Sequence, residues 1–129
     1  MNKNTFKKQE RLCSKKVIEE MFTEGHSTLC FPIKAVYLSD SINVEKDTPV
    51  QCAFTVPKRL FKRANKRNLL KRRMKESYRL NKSSLDLHSE SLSIMFIYIA
   101  KEELPYSRIE SAVKKVIRKI SDSQQDKKR

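Results

Sequence analysis

The sequence predicts a small two-layer α+β domain with elements in the order α-β-β-α-β-α. Apolar residues recur with a helical period in three segments, and three shorter segments carry the dense apolar residues of strands. A length of 129 residues, with no internal repeat or linker, fits one domain with a single modest core. We therefore expect one layer of helices packed on one small sheet.

The first helix is predicted to follow Ser14, which can cap it, and to end near Glu24. Gly25, the only glycine of the chain, comes next, where a left-handed residue commonly ends a helix. The predicted buried stripe of this helix consists of Val17, Ile18, Met21 and Phe22.

Three segments are predicted to be strands. Residues 29–38 and 50–56 are strand-like and are separated by a polar turn at residues 40–49, so we expect them to pair as an antiparallel hairpin. Residues 92–100 are almost continuously apolar, which is typical of a strand covered on both faces. We expect this segment at the centre of the sheet.

The last helix is predicted to open at Pro105 and a capping box formed by Ser107 and Glu110. Its apolar residues share one helical face: Ile109, Ala112, Val113, Val116, Ile117 and Ile120. No apolar residue follows Ser121, so we expect a single domain over residues 1–121, its first ten or so residues flexible, and a disordered basic tail over residues 122–129.

The positive charge of the chain is concentrated in residues 58–82. This segment holds twelve Lys or Arg residues and one acid, Glu76, a net charge of +11 out of a total of +14. It contains no Gly or Pro, and the spacing of Leu70, Met74 and Tyr78 places them on one face of a helix over about residues 63–82. The charge therefore belongs to a folded element.

Cations at every fourth position of this helix repel one another, each step opposing helix formation by about 0.2–0.5 kcal/mol. A phosphodiester backbone relieves such repulsion and releases condensed counterions. Asn65 and Asn68 add groups that can bond sugars and bases. Nucleic acid is therefore the predicted partner. The ladder consists of Arg63, Arg67, Lys71, Lys75 and Arg79.

The composition argues against several other functions. One glycine excludes phosphate- and dinucleotide-binding loops, and His26 and His88 have no visible partner for acid–base catalysis. The three scattered cysteines, Cys13, Cys30 and Cys52, predict core residues in a reducing cytosol and no zinc site. The longest apolar run, residues 94–100, is too short to span a membrane. No small-molecule substrate is indicated.

The segment FTVPKR followed by KRANKRNLLKRRMKESYR resembles the signature of the bacterial ribonuclease P protein family. In that family a strand ends in V-x-K-[KR] and the next helix opens R-N-R-x-K-R-x-x-[RK]-x-x-[FY]. Leu69 stands where the motif has its second Arg, and the usual glycine of the connector is missing. The similarity extends over about residues 11–121. The residues in register are Val56, Lys58, Arg59, Arg67, Asn68, Lys71, Arg72, Lys75 and Tyr78.

The resemblance implies a cytoplasmic ribonucleoprotein endonuclease. A large catalytic RNA, ribonuclease P RNA, would use Mg²⁺ to remove the 5′ leader from precursor tRNA, and the protein would bind both RNAs without metal or cofactor of its own. It also implies a mixed sheet with a left-handed β-α-β crossover around the basic helix. The residues expected to dock the catalytic RNA are Lys58, Arg59, Lys62, Arg63, Lys66, Arg67, Asn68, Lys71, Arg72 and Lys75.

A cleft between the first helix and the sheet would hold the single-stranded leader, with aromatic rings stacking on unpaired bases. The residues that the resemblance places there are Ile18, Phe22, Phe31 and Tyr37. The alternative is that all four are core residues, which is the preferred interpretation for Ile18.

A different class of function is also open. The protein could be a non-enzymatic RNA-binding or ribosome-assembly protein, or a reader of a DNA groove. A groove reader would normally place a helix and a short turn before its basic helix, whereas here a strand and Pro57 come first.

Overall fold

A computed structural model of the chain describes residues 15–39, 50–82 and 92–127. Ser14, Cys13, His88 and the turn at residues 40–49 lie outside the described residues. The elements are α1 (Lys15–Glu24), β1 (His26–Cys30), β2 (Ile33–Ser39), β3 (Val50–Thr55), α2 (Ala64–Asn81), β4 (Leu92–Tyr98) and α3 (Tyr106–Lys127).

The strands form one mixed sheet in the order β1-β2-β4-β3. Strand β2 is antiparallel to β1 and to β4, whereas β3 is parallel to β4. The α+β class and the inner position of β4 are therefore confirmed, and β3-α2-β4 is a parallel crossover unit. The left hand of this crossover stays a prediction.

The predicted antiparallel hairpin between residues 29–38 and 50–56 is wrong. Strand β4 lies between β2 and β3, with Met95 paired to Val36 on one side and to Ala53 on the other. In β4 every residue except Ile97 is buried. An almost wholly apolar strand buries more surface between two neighbours than it would at an edge, which explains why it separates the other two.

The segment predicted as one strand over residues 29–38 is a hairpin of β1 and β2. Cys30 pairs with Ile33 across a two-residue turn of Phe31 and Pro32, and the bond between these two turn residues is cis. The Pro32 carbonyl accepts a bond from the Ile99 amide at 2.9 Å. Proline has no amide proton for a strand ladder, so Pro32 was the signal for this turn.

Most of the core lies between the sheet and the helices α2 and α3. Tyr78 of α2, Phe96 of β4 and Val113 of α3 belong to one buried cluster, which confirms the predicted stripes of both helices. The other face of the sheet carries a smaller cluster in which Met21 of α1 packs with Val36 and Met95. Helix α1 therefore covers part of that second face.

Gly25 is needed for close packing and not for a left-handed conformation. Its φ is not positive, contrary to the prediction, and its amide donates to the Met21 carbonyl at 3.0 Å. A Cβ at this position would clash with the Met21 carbonyl oxygen and would lie 2.9 Å from the Tyr37 oxygen. The end of α1 can therefore approach β2 only through a residue without a side chain.

The predicted ends are confirmed for α1 and differ from the structure for α3. Helix α1 begins and ends as predicted. Helix α3 continues to Lys127, because a polar segment without Gly or Pro can extend the backbone ladder past Ser121. The capping box at Ser107 is wrong, since Ser107 lies inside the helix and the Pro105 carbonyl accepts from the amides of Arg108 and Ile109 at 3.1 and 3.3 Å.

Among the described helices, none is long and apolar enough to cross a membrane. Cys30 and Cys52 are buried, 6% and 1% exposed, as expected for small core residues.

Candidate nucleic-acid interface

Helix α2 carries the candidate interface on the side that faces away from the core. Leu70, Met74 and Tyr78 are at most 1% exposed, which confirms the predicted stripe. This anchoring fixes the outward direction of the polar side chains on a rigid helix. The predicted interface residues of α2 that are exposed are Lys66, Asn68, Arg72 and Lys75, and Asn65 is exposed beside them.

The segment that joins β3 to α2, residues 56–63, is called the connector. A set of cations in the connector and α2 has no acidic partner among the residues that the structure describes. We call this set the free cations. Because nothing neutralises them within the described fold, they can bind an external polyanion without first breaking an ion pair. The free cations are Lys58, Arg59, Lys62, Arg63, Lys71, Arg72 and Lys75.

Arg67 holds the connector against the start of α2. Its Nη1 donates to the carbonyl oxygens of Phe61 and Lys62, at 2.8 and 2.9 Å. The side chain of Arg63 makes no capping bond at the helix start, so Arg67 supplies the local order there. This predicted RNA contact therefore also has a structural role, and it shapes the backbone that presents Lys58 and Arg59.

We expect Arg67→Ala to lower the free energy of unfolding by about 1–2 kcal/mol, because two partly exposed charged hydrogen bonds are lost. Urea denaturation would measure the change. Arg72→Ala is the matched control, since Arg72 is exposed and makes no such bonds, and it should shift the free energy by less than about 0.5 kcal/mol. Equal stabilities of the two variants would contradict the role given to Arg67.

Glu103, in the loop after β4, binds two cations of α2. Its carboxylate accepts from Lys66 Nζ at 2.6 Å and from Arg73 Nη2 at 3.3 Å. Arg73 Nη1 also donates to the Leu104 carbonyl at 2.8 Å. The hydrogen bond from Lys66 lowers the pKa of the Glu103 carboxyl. Lys66 is thus neutralised within the fold, unlike the free cations, and Arg73 is a structural residue.

The last cation of the predicted ladder is also neutralised. Arg79 binds Glu76 one turn earlier, with Nε to Oε2 at 3.3 Å and a second bond from Nη2 to Oε1. The hydrogen bond from Arg79 lowers the pKa of the Glu76 carboxyl. The repulsion expected along α2 is therefore relieved at its C-terminal end, and the exposed charge lies toward the N-terminal end and the connector.

The connector has no glycine because a side chain fills its inner side. Phe61 packs edge-on against Tyr98, with ring centroids 5.8 Å apart. The amides of Leu60 and Phe61 donate to the Pro57 carbonyl at 3.1 and 3.3 Å, which closes a turn after β3. Leu69, at the position where the motif has Arg, is half-buried and adds apolar contact in place of a charge.

A second candidate surface lies on the α1 side of the sheet. The strand register aligns Leu29, Lys34, Ile97 and Thr55 in one row, on the same face as Val36. Leu29 and Lys34 are exposed and the other two are half-buried, so α1 leaves this row open. We call the row together with the adjoining side of α1 the α1 groove. Sequence reasoning missed Leu29 and Lys34, although strand alternation from Val36 places Lys34 here.

Two of the four predicted cleft residues are exposed aromatic side chains. Phe22 is 59% exposed on α1, and Phe31 is 57% exposed at the β1–β2 turn, so neither is a core residue. Gly25, three residues after Phe22, approaches β2 at the Tyr37 oxygen. Tyr37 lies four residues along β2 from Ile33, the end of the strand that adjoins Phe31. At about 3.3 Å per residue, these two backbone positions on β2 are roughly 13 Å apart.

Tyr37 does not line the α1 groove. It is 7% exposed and belongs to the main core on the opposite face of β2, where its ring lies 5.7 Å from that of His26. Alternation along β2 explains the difference, because Val36 and Leu38 point to the α1 side and Tyr37 therefore cannot. Ile18 is half-buried against the Met21 cluster, in agreement with the preferred interpretation that it is a core residue.

The described residues contain no group of three His, Cys, Asp or Glu side chains placed to hold a metal ion.

Comparison with known sequences agrees with the motif. The family model described as Ribonuclease P matches residues 6–121. A curated relative from Porphyromonas gingivalis, named ribonuclease P protein component, is 31% identical over 118 residues, which cover 88% of this chain and 85% of the relative. A protein of the same name from Petrotoga mobilis is 28% identical over 127 residues, or 93% of this chain and 98% of that protein.

Solved structures share the fold. The RNase P protein from Thermotoga maritima superposes with a TM-score of 0.70 at 21% identity, covering 86% of this chain and 97% of that one. The Staphylococcus aureus RNase P protein superposes with a TM-score of 0.68 at 20% identity, covering 84% and 93% of the two chains. The sequence match and the fold match thus cover most of the same residues.

Proposed function

The chain belongs to the ribonuclease P protein family, the protein components of a tRNA-processing ribonucleoprotein, and we propose that it docks on ribonuclease P RNA through the connector and the outer face of α2. The observation that carries this proposal is the set of free cations in the connector and on α2, a helix anchored by three core side chains. Each cation that neutralises a phosphate releases condensed counterions, which favours binding. Asn68 adds a group that can bond sugars or bases.

The second part of the proposal concerns the division of labour. The RNA subunit, with magnesium ions, carries the chemistry of leader removal, and this chain supplies binding. Family membership supports this, as does a sequence without paired carboxylates or a nucleophile beside a base. The cations of the protein would screen repulsion between the RNA subunit and precursor tRNA, and so lower the magnesium concentration that binding needs.

The third part assigns the 5′ leader of precursor tRNA to the α1 groove. Phe22 and Phe31 present exposed rings, on which unpaired bases of any sequence can stack. Lys34 lies in the open row and can neutralise a leader phosphate. Because Phe31 and the end of α1 that carries Phe22 adjoin different ends of β2, the leader would follow the groove with one base on each ring.

Reconstitution with ribonuclease P RNA at low magnesium tests the proposal. We expect the protein to stimulate cleavage of precursor tRNA and to tighten binding of precursor relative to mature tRNA. Cleavage by the protein without the RNA, or no effect of the protein on the RNA, would refute it.

We expect Phe22→Ala to reduce the preference for precursor over mature tRNA by about 1–3 kcal/mol, because one stacking platform is lost. Binding of the two tRNAs to the reconstituted holoenzyme would measure the preference. Leu80→Ala is the matched control, since Leu80 is an exposed apolar side chain on α2, away from the groove. An equal loss in both variants would argue against the α1 groove as the leader site.

We expect Glu103→Gln to strengthen docking on ribonuclease P RNA, because Lys66 becomes available to a phosphate. The dependence of log K on log salt concentration should become steeper by up to about 0.9. An unchanged salt dependence would show that Lys66 does not reach the RNA.

The same substitution should alter the acid stability of the free protein. The lowered pKa of Glu103 contributes stability above its ordinary value of 4.5, and this stability is lost as pH falls through the lower pKa of the folded state. In Glu103→Gln the decline of stability below about pH 4.5 should therefore be shallower, as thermal unfolding between pH 3 and 6 would reveal.

A further inference from the structure

The outer face of α3 carries a second concentration of positive charge. Among its described side chains, the exposed positions hold two serines, one acid (Asp122) and a group of cations. The net charge of the whole chain does not reveal this group, because acidic residues elsewhere in the sequence offset its positive charge. The exposed cations of α3 are Arg108, Lys114, Lys115, Arg118 and Lys119.

These cations have no acidic partner among the residues that the structure describes. Asp122 makes no ion pair with them, and Glu110 is turned toward α2, where its Oε2 accepts from Tyr106 Oη at 3.4 Å and from Asn81 Nδ2 at 3.5 Å. Lys114 and Arg118 form one like-charge i,i+4 pair, and Lys115 and Lys119 form another. A solvated surface helix normally alternates such cations with Glu, so this face resembles the outer face of α2.

The position of this face decides which polyanion fits it. Helices α2 and α3 lie side by side on the same side of the sheet, and the α1 groove lies on the other side. Toward its C-terminal part α3 reaches the β1 edge, where Lys119 Nζ donates to the Leu29 carbonyl at 3.4 Å. Packed helices are about 8–10 Å apart, so an RNA docked along α2 can continue over α3. A leader held in the α1 groove lies on the other face of the sheet, and of the described α3 cations only Lys119 reaches the β1 edge beside that groove.

We propose that the outer face of α3 is a second docking surface for ribonuclease P RNA, and that it binds a stretch of phosphodiester backbone different from the one on α2. This inference rests on the proposed function. Two basic faces on neighbouring helices would hold the RNA subunit at two points and fix its orientation, which a single row of cations cannot do. The contact is with phosphates, so it needs no particular base sequence.

The test uses the full-length protein and isolated ribonuclease P RNA. The triple variant Lys114→Gln, Lys115→Gln, Arg118→Gln removes like charges from an exposed face, so the helix should stay folded, which circular dichroism verifies. Lys119 is kept because it bonds the Leu29 carbonyl. For two or three lost phosphate contacts, we expect binding to weaken by about 10- to 80-fold at 0.2 M salt and the salt slope to fall by about 1.4–2.7.

A single-residue comparison controls for net charge. Lys115→Gln should lower the salt slope by about 0.7–0.9. Lys34→Gln should leave it unchanged, because Lys34 lies on the opposite face of the sheet and its proposed partner, the leader, is absent from isolated ribonuclease P RNA. Equal effects of these two variants would overturn the inference. So would an effect confined to precursor tRNA binding by the holoenzyme.

Tethered cleavage shows directly what lies against α3. Ser111→Cys and Ala64→Cys, each in a Cys13→Ser background, place a hydroxyl-radical probe on α3 and α2 without removing a cation, while Cys30 and Cys52 are buried. We expect both probes to cut ribonuclease P RNA, at different positions. Cuts from α2 alone would overturn the second surface and leave the proposed function standing, whereas cuts from neither would contradict both.

Discussion

Reversing the charge of Arg72 and Lys75 together is expected to weaken docking on ribonuclease P RNA by about 10- to 100-fold at 0.2 M salt. Both are free cations that are exposed on α2, at a distance from the core contacts. Two lost phosphate contacts should also lower the salt slope by about 1.4–1.8. Filter binding of Arg72→Glu/Lys75→Glu over a range of salt concentrations would measure both quantities.

The same variant should fold normally, which separates docking from stability. A glutamate at position 75 lies one turn before Arg79 and one turn after Lys71, which favours the helix, while a glutamate at position 72 faces Glu76. These terms offset each other to within about 0.5 kcal/mol. Lys34→Glu is the control for charge alone and should leave docking unchanged. Weaker docking caused by unfolding would appear as a lower denaturation midpoint.

Removing the ring of Phe96 is expected to destabilise the protein by about 3–5 kcal/mol. Phe96 is 0% exposed and stacks on Phe54 with ring centroids 5.2 Å apart. It also lies 5.8 Å from the ring of Tyr78, so this cluster joins β3, β4 and the basic helix. Because a small domain is stable by only about 5–15 kcal/mol, Phe96→Ala removes a large part of the total.

Phe22→Ala is the matched control, since it deletes the same side chain from an exposed position. Its effect on the free energy of unfolding should stay within about 0.5 kcal/mol. Phe96→Leu keeps most of the volume and should cost less, so the order Phe22→Ala, Phe96→Leu, Phe96→Ala is expected in urea denaturation. A change below about 1 kcal/mol for Phe96→Ala would contradict the packing of α2 on the sheet.

Elements with a long periodic pattern were predictable from the sequence. The stripes of α2 and α3 are continuous over several turns, and both helices bury the residues that the period selects. The apolar run of β4 likewise indicated an inner strand. Strand pairing was not predictable in the same way, because the apolar patterns of β2 and β3 are compatible with pairing to each other or to β4. The choice depends on which arrangement buries β4.

The candidate interface was likewise predictable only in part. Residue types and spacing placed the cations on one helix, but they did not distinguish a cation that is free from one that is bound. Arg67 bonds the connector and Lys66 bonds Glu103 from a distant loop, and these contacts require the folded chain. The family resemblance assigned Tyr37 to the cleft, yet strand alternation turns its side chain into the core.

The sequence by itself determined the helices, the inner strand, the concentration of charge and the family, because each depends on residues that are close together along the chain. Only the tertiary structure decided the order of the strands, which cations are neutralised, and which aromatic side chains are exposed. These properties depend on contacts between distant segments, such as Glu103 with Lys66 and Phe61 with Tyr98. Their free energy comes from burial and pairing across the fold, which no local pattern records.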